Sequence, residues 1–193
     1  MPNLSLRQTV AIVAALNLAY FGVEFAVALA IGSVSLFADS VDFLEDASVN
    51  LLIVLALAWA PKARARAGMV LAGILLLPAL ALLWALWGKF TSPVVPEPFA
   101  LSVTGAGALA VNLTCALMLA RFRTQSGSLT KAAFLSARND AIANVAIIGA
   151  GIVTAFTFSI WPDVVVGVAI AAMNIDAARE VWEAAHNEHK AEP

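Results

Sequence analysis

Charge is scarce in this 193-residue chain. Only 12% of its residues are Asp, Glu, Lys or Arg, against 62% hydrophobic, and the mean hydropathy is +0.90. A soluble domain of this size needs far more polar surface to stay in solution. Cysteine occurs once, at Cys115 inside an apolar run, so no intramolecular disulfide can form and the redox compartment is not legible. Both histidines, His186 and His189, sit with Glu183 and Glu188 in a short charged C-terminal stretch, read most simply as a solvated tail. The net charge of −2 says nothing about partners, because the distribution of charge matters here and its sum does not.

What the chain does have is long apolar blocks. A helix crossing a bilayer needs ~20 mostly apolar residues, and about six such blocks use nearly the whole chain. They are expected at 6–31, 37–60, 68–87, 98–122, 129–158 and 162–186. This predicts an all-α, integral membrane six-helix bundle forming a single transmembrane domain over residues 1–193, with no soluble domain. The breaks between blocks are Gly32-Ser33, the basic stretch from Pro61 to Arg66, the Pro-rich loop from Thr91 to Pro98, the polar stretch from Arg121 to Ser128, and Trp161-Pro162-Asp163. The first block resembles a signal peptide only superficially: it is too long for an h-region and carries Asn17 and Glu24.

Basic residues set the orientation. Arg7, Lys62, Arg64, Arg66, Arg121, Arg123, Lys131, Arg179 and Lys190 fall on one side and only Lys89 on the other, which predicts both termini in the cytoplasm. Trp59 and Trp182 then lie at inner helix ends, and Trp84, Trp87 and Trp161 at outer ends, as interfacial anchors do.

Against this apolar background, the second block opens with four acids in eight residues: Asp39, Asp42, Glu45 and Asp46. Asp42, Asp46 and Asn50 are spaced four apart and so share one helix face, which Asp39 extends. The fifth block repeats the pattern: Ser136, Asp140 and Asn144 form a second stripe, and Asp46-Ala47-Ser48-Val49-Asn50 is echoed by Asp140-Ala141-Ile142-Ala143-Asn144. An Asp at the centre of a span costs roughly 2.5–3.5 kcal/mol, so Asp42, Asp46 and Asp140 unpaired would cost on the order of 8–10 kcal/mol. Something must neutralise them: protons, the nearby Arg138, or a bound cation. Oxygen-rich sets of this kind suit hard or borderline divalent ions, and a carboxylate out of water also binds protons more readily, so the two compete for the same oxygens. Depth is the weak point, because Asp46 is 16 residues (~24 Å of helix) from Lys62, whereas Asp140 is nine residues (~14 Å) from Lys131. Asn17 and Glu24, seven apart on one face of the first block, are candidates for the same cavity, and Asn112 reads as a hydrogen-bonding contact between helices.

At these residues the sequence resembles the cation diffusion facilitator family. Asn17 and Glu24 match the family's Asn and Glu in the first helix. The run Gly32-Ser33-Val34-Ser35-Leu36-Phe37-Ala38-Asp39-Ser40 resembles its Gly-Ser-x-(Ala/Ser)-Leu-x-Ala-Asp-(Ala/Ser), and Asp42-x-x-x-Asp46 its second-helix metal motif. Trp161-Pro162-Asp163 with Gly167 resembles its Trp-x-Asp-x-x-x-Gly. The resemblance implies a homodimer of six-helix subunits in a bacterial inner membrane, exporting a divalent metal (zinc, manganese, iron, cobalt or cadmium) in exchange for protons. It implies no permanent cofactor, no nucleic-acid partner and no enzymatic activity. It further implies a tetrahedral site of two residues from helix 2 and two from helix 5, onto which Asp42, Asp46 and Asp140 carry over. Ser136 stands where the family's first helix-5 ligand (His or Asp) belongs, leaving Asn139, Asn144 or water as alternatives for the fourth position. Asn17, Glu24, Asp39 and Asn50 would line the cavity. The family's usual soluble C-terminal domain is not expected in this chain.

Two other readings compete. A non-transporting metal sensor or assembly factor is compatible with Ser136. An intramembrane phosphotransferase also places Asp-x-x-x-Asp in a span, but the Asp-Gly and Ala-Arg that its motif needs upstream are missing, and Ala38 stands where it needs Gly.

Overall fold

The computed structural model describes residues 4–56, 77–122 and 127–173. Among them are six helices and no strand: α1 (Leu6–Ile31), α2 (Val34–Ala56), α3 (Leu77–Thr91), α4 (Pro98–Ala120), α5 (Gly127–Thr157) and α6 (Trp161–Met173). α1, α4 and the Ser136–Thr157 stretch of α5 are each long and apolar enough to cross a membrane. α2 is as long as α4, but its four acids break the apolar run. The expected stretches 57–60, 68–76 and 174–186 lie outside the described residues, as do most of the basic residues that set the orientation.

The helix ends follow from local chemistry. α1 starts at a capping box, in which Ser5 Oγ accepts from Gln8 N and Gln8 Oε1 accepts from Ser5 N. It stops at Gly32, whose φ of 64° is the left-handed conformation that favours glycine. α2 begins three residues earlier than the sequence suggested, at Val34, because Ser33 Oγ caps it by accepting from Leu36 N at 3.1 Å. α3 continues to Thr91 rather than ending at Trp87, so Lys89 belongs to the helix. Glu97 caps α4, accepting from Phe99 N and Ala100 N, with Pro98 at the first helical position.

The bundle is polar inside and apolar outside. Leu18, Val23, Leu29, Leu83, Trp84, Leu117 and Phe156 are exposed, whereas Thr9, Asn17, Glu24, Asp39, Asp42, Asp46, Asn50, Asn112, Asn144 and Thr154 are buried. Lipid tails solvate the first set; the second must find partners within the protein. Two apolar clusters bracket the polar layer. At one end are Ala28, Leu36, Phe37, Leu101, Ile147 and Val164, and at the other Val10, Val13, Ile53, Cys115, Leu119 and Ala137. α1 packs along α2 and α4 along α5, and these pairs join through α1 against α4 and α2 against α5.

Where α1 turns into α2, Asp163 of α6 ties the chain together. It is fully buried and accepts from Ser33 Oγ (2.6 Å), Val34 N (2.9 Å), Ser35 N (3.0 Å) and Ser35 Oγ (2.7 Å). A carboxylate on the first amides of a helix is favoured both by unsatisfied N–H groups and by the helix dipole. Lys89 of α3 reaches the same point, with Nζ 3.4 Å from Asp163 and 2.6 Å from the Gly32 carbonyl oxygen. One turn along α6, Gly167 lies so close to α2 that a Cβ there would stand 2.8 Å from the Val34 carbonyl carbon. The Gly-Ser-x-Ser and Trp-x-Asp-x-x-x-Gly motifs are thus two halves of one joint.

Candidate metal centre

The acid stripe of α2 faces the polar stripe of α5 rung by rung. Asn144 Nδ2 donates to Asp39 Oδ2. Asp42 has Asp140 among its charged neighbours. Ser136 Oγ donates to Asp46 Oδ1 at 2.9 Å. Each step of three or four residues forward on α2 is matched by four backward on α5, the signature of antiparallel helices whose polar residues recur about once per turn. Asp140 neighbours both Asp46 and Ser136. The count from Lys131 does not decide the depth of Asp140, because the contacts between the two helices put it beside Asp46.

Asp42, Asp46 and Asp140 therefore approach one another with Ser136 alongside. They do so in pairs. Among the described residues, no three His, Cys, Asp or Glu side chains are gathered into a ready cage for an ion. Bare carboxylates repel at short range, and a cation between them is what would draw a third one in.

The remaining sequence candidates separate clearly. Asn144 is buried and committed at both ends of its amide, donating to Asp39 and accepting from Asn112 Nδ2 at 3.0 Å. It sits one turn from the Asp46–Asp140 level. Asn139 is exposed, and its Oδ1 accepts from Arg138. Arg138 is itself exposed and makes no ion pair with Asp39 or Glu45, so it does not neutralise the acids. Asn50 donates to the Asp46 carbonyl oxygen on its own helix at 2.7 Å, so the two Asp-Ala-x-x-Asn copies do different jobs. Asn17 is fully buried, its Oδ1 near Cys115 Sγ. Glu24 is fully buried beside Asp39. Asn112 bridges α4 to α5, as expected of a contact between helices.

Lys89 was missed as a structural residue. Its signal was its isolation: it is the lone basic residue between Arg66 and Arg121, and such a charge at a helix end needs a partner. A cleft of about 630 Å³ between α1, α2 and α3 lies on the far face of α2. It is walled by Phe21, Phe25, Phe37, Val41, Leu44 and Trp84 and touches none of the acids that face α5.

Residues 10–185 match the family model of the cation efflux transmembrane domain. The chain belongs to the cation efflux family. No curated protein matches it. Cation efflux proteins form a transporter family and not an enzyme family, so membership makes this chain a multi-pass membrane protein and a transporter of metal cations. Membership also removes the ground for reading Asp42-x-x-x-Asp46 as a phosphotransferase motif. Within a cation efflux domain, a facing pair of acid-bearing helices is where a cation would find oxygen ligands.

Proposed function

We propose that this cation efflux protein exports a divalent metal ion from the cytoplasm in exchange for protons, through Asp42 and Asp46 of α2 and Asp140 of α5. Ser136 or a water would complete the coordination. The observation that carries the reading is the Ser136–Asp46 hydrogen bond, which brings the polar stripes of α2 and α5 together with Asp140 one turn beyond Ser136. Three carboxylates there are tolerable with a doubly charged ion between them, and equally with protons on them, so each species displaces the other. An all-oxygen set without histidine or cysteine suits hard cations such as manganese, and still admits zinc, iron, cobalt or cadmium. The working unit is a homodimer in a bacterial inner membrane with both termini cytoplasmic.

Purified protein in proteoliposomes under a pH gradient tests this, with zinc, manganese, cobalt and cadmium added in turn and internal pH read alongside metal. Wild type moves at least one metal against protons, while Asp46→Ala and Asp140→Ala reduce flux to that of empty vesicles. Flux that survives both substitutions refutes the site. Metal binding without flux in wild type refutes transport and leaves a metal sensor.

A further inference from the structure

Glu24 has no place in the metal centre just described, yet its position is costly. It lies in the middle of an apolar helix, is fully buried, and neither of its carboxylate oxygens has a hydrogen-bond donor among the described residues. The side chain it meets is another acid, Asp39, within hydrogen-bonding reach across the α1–α2 contact. Asp39 Oδ2 accepts from Asn144, while Asp39 Oδ1 is likewise buried and without a donor. Three buried carboxylate oxygens on these two neighbouring side chains are thus left without a donor among the described residues.

We infer that Glu24 and Asp39 form a separate proton-binding site, one helical turn from the metal centre, in which a single proton is shared between the Glu24 carboxylate and Asp39 Oδ1. An unpaired buried carboxylate is among the most expensive groups a protein can hold, and two in contact cannot both stay ionised. One proton converts the pair to acid and carboxylate, supplies the missing donor, and leaves one negative charge. That charge has a partner already in place, the Asn144 amide, which Asn112 holds by its oxygen. A metal ion fits this site poorly, because an N–H donor already occupies Asp39 Oδ2 and three oxygens are fewer than a hard cation takes. The charged and titratable groups facing the pair are Tyr20 on α1, Asp42 and Asp46 on α2 and Asp140 beyond them on α5. Every one of them is an acid or a phenol. Cations in the metal centre therefore act on this proton through space: when Asp42, Asp46 and Asp140 gain a doubly charged ion, the proton is repelled, and when the ion leaves, it is drawn back. The inference rests on the proposed metal–proton exchange and gives the proton a binding place of its own.

Infrared difference spectroscopy of the reconstituted protein tests it independently of transport. At neutral pH, wild type minus Glu24→Gln shows the carbonyl-stretch band of a protonated carboxylic acid, shifted in heavy water and lost on addition of the transported metal. Asp46→Asn keeps the Glu24 band while losing metal binding. In proteoliposomes, Glu24→Gln binds zinc and manganese as wild type does, but a pH gradient no longer accelerates its metal flux. Absence of a Glu24-dependent band overturns the inference, as does gradient-driven acceleration that survives Glu24→Gln. Loss of metal binding in Glu24→Gln also overturns it, by making Glu24 a ligand. Absence of metal flux in wild type defeats the exchange reading instead, and the metal-free band then decides the proton site alone.

Discussion

Replacing Asp163 by Asn isolates the chemistry of the joint between α2, α3 and α6 with almost no change of volume. The carboxylate accepts four hydrogen bonds from the start of α2 and stands 3.4 Å from Lys89 Nζ, with both side chains almost completely buried. The amide keeps one acceptor oxygen, turns an N–H₂ toward groups that are themselves donors, and leaves Lys89 without its counter-charge. Breaking a buried ion pair from one side costs about 3–5 kcal/mol. Hydrogen bonds to charged groups contribute roughly 1.5–3 kcal/mol each, but their loss overlaps with loss of the pair, so the lower figure is the safer total. In thermal unfolding of the detergent-solubilised protein, ~3 kcal/mol corresponds to a fall in Tm of roughly 6–12 °C for a chain of this size. Adding Lys89→Met to Asp163→Asn removes the stranded ammonium and recovers a substantial part of that loss. A single variant that melts with wild type, or a double variant no more stable than the single one, refutes the electrostatic account of the joint.

Gly167→Ala brings a methyl group against the Val34 backbone, which cannot yield as a side chain tip would. We expect a destabilisation of ~1–3 kcal/mol in the same melt, from overpacking alone. Arg138→Gln removes an exposed side chain whose contact is Asn139. Stability within ~0.5 kcal/mol of wild type and unchanged metal affinity by calorimetry are expected, whereas a large loss of affinity would show that Arg138 sets the charge of the metal centre.

The legible parts of the molecule were those written locally. The limits of α1 could be read because Ser5, Gln8 and Gly32 are all its neighbours in sequence. The start of α2 was misplaced because its cap is completed by Asp163, 130 positions from Ser33. The acid stripes were visible because a repeat of four needs no tertiary knowledge, and the repeat on α5 singled out its partner helix. Their alignment was not visible. Asn144 could be thought a ligand until the antiparallel pairing set it opposite Asp39, a turn away from Asp46. Arg138 looked like a neutraliser from its place two residues before Asp140, but on a helix that offset points to another face, and its side chain is exposed.

The two apolar clusters have an electrical consequence. Hydrocarbon side chains flank the acid layer at either end, so its most deeply buried members, Glu24 and Asp39, are poorly screened and net charge among them is felt strongly. Such a chamber has to stay close to neutral at each step of its cycle. An ion that enters must be matched by protons that leave, and stoichiometry becomes a property of how many carboxylates are walled in together.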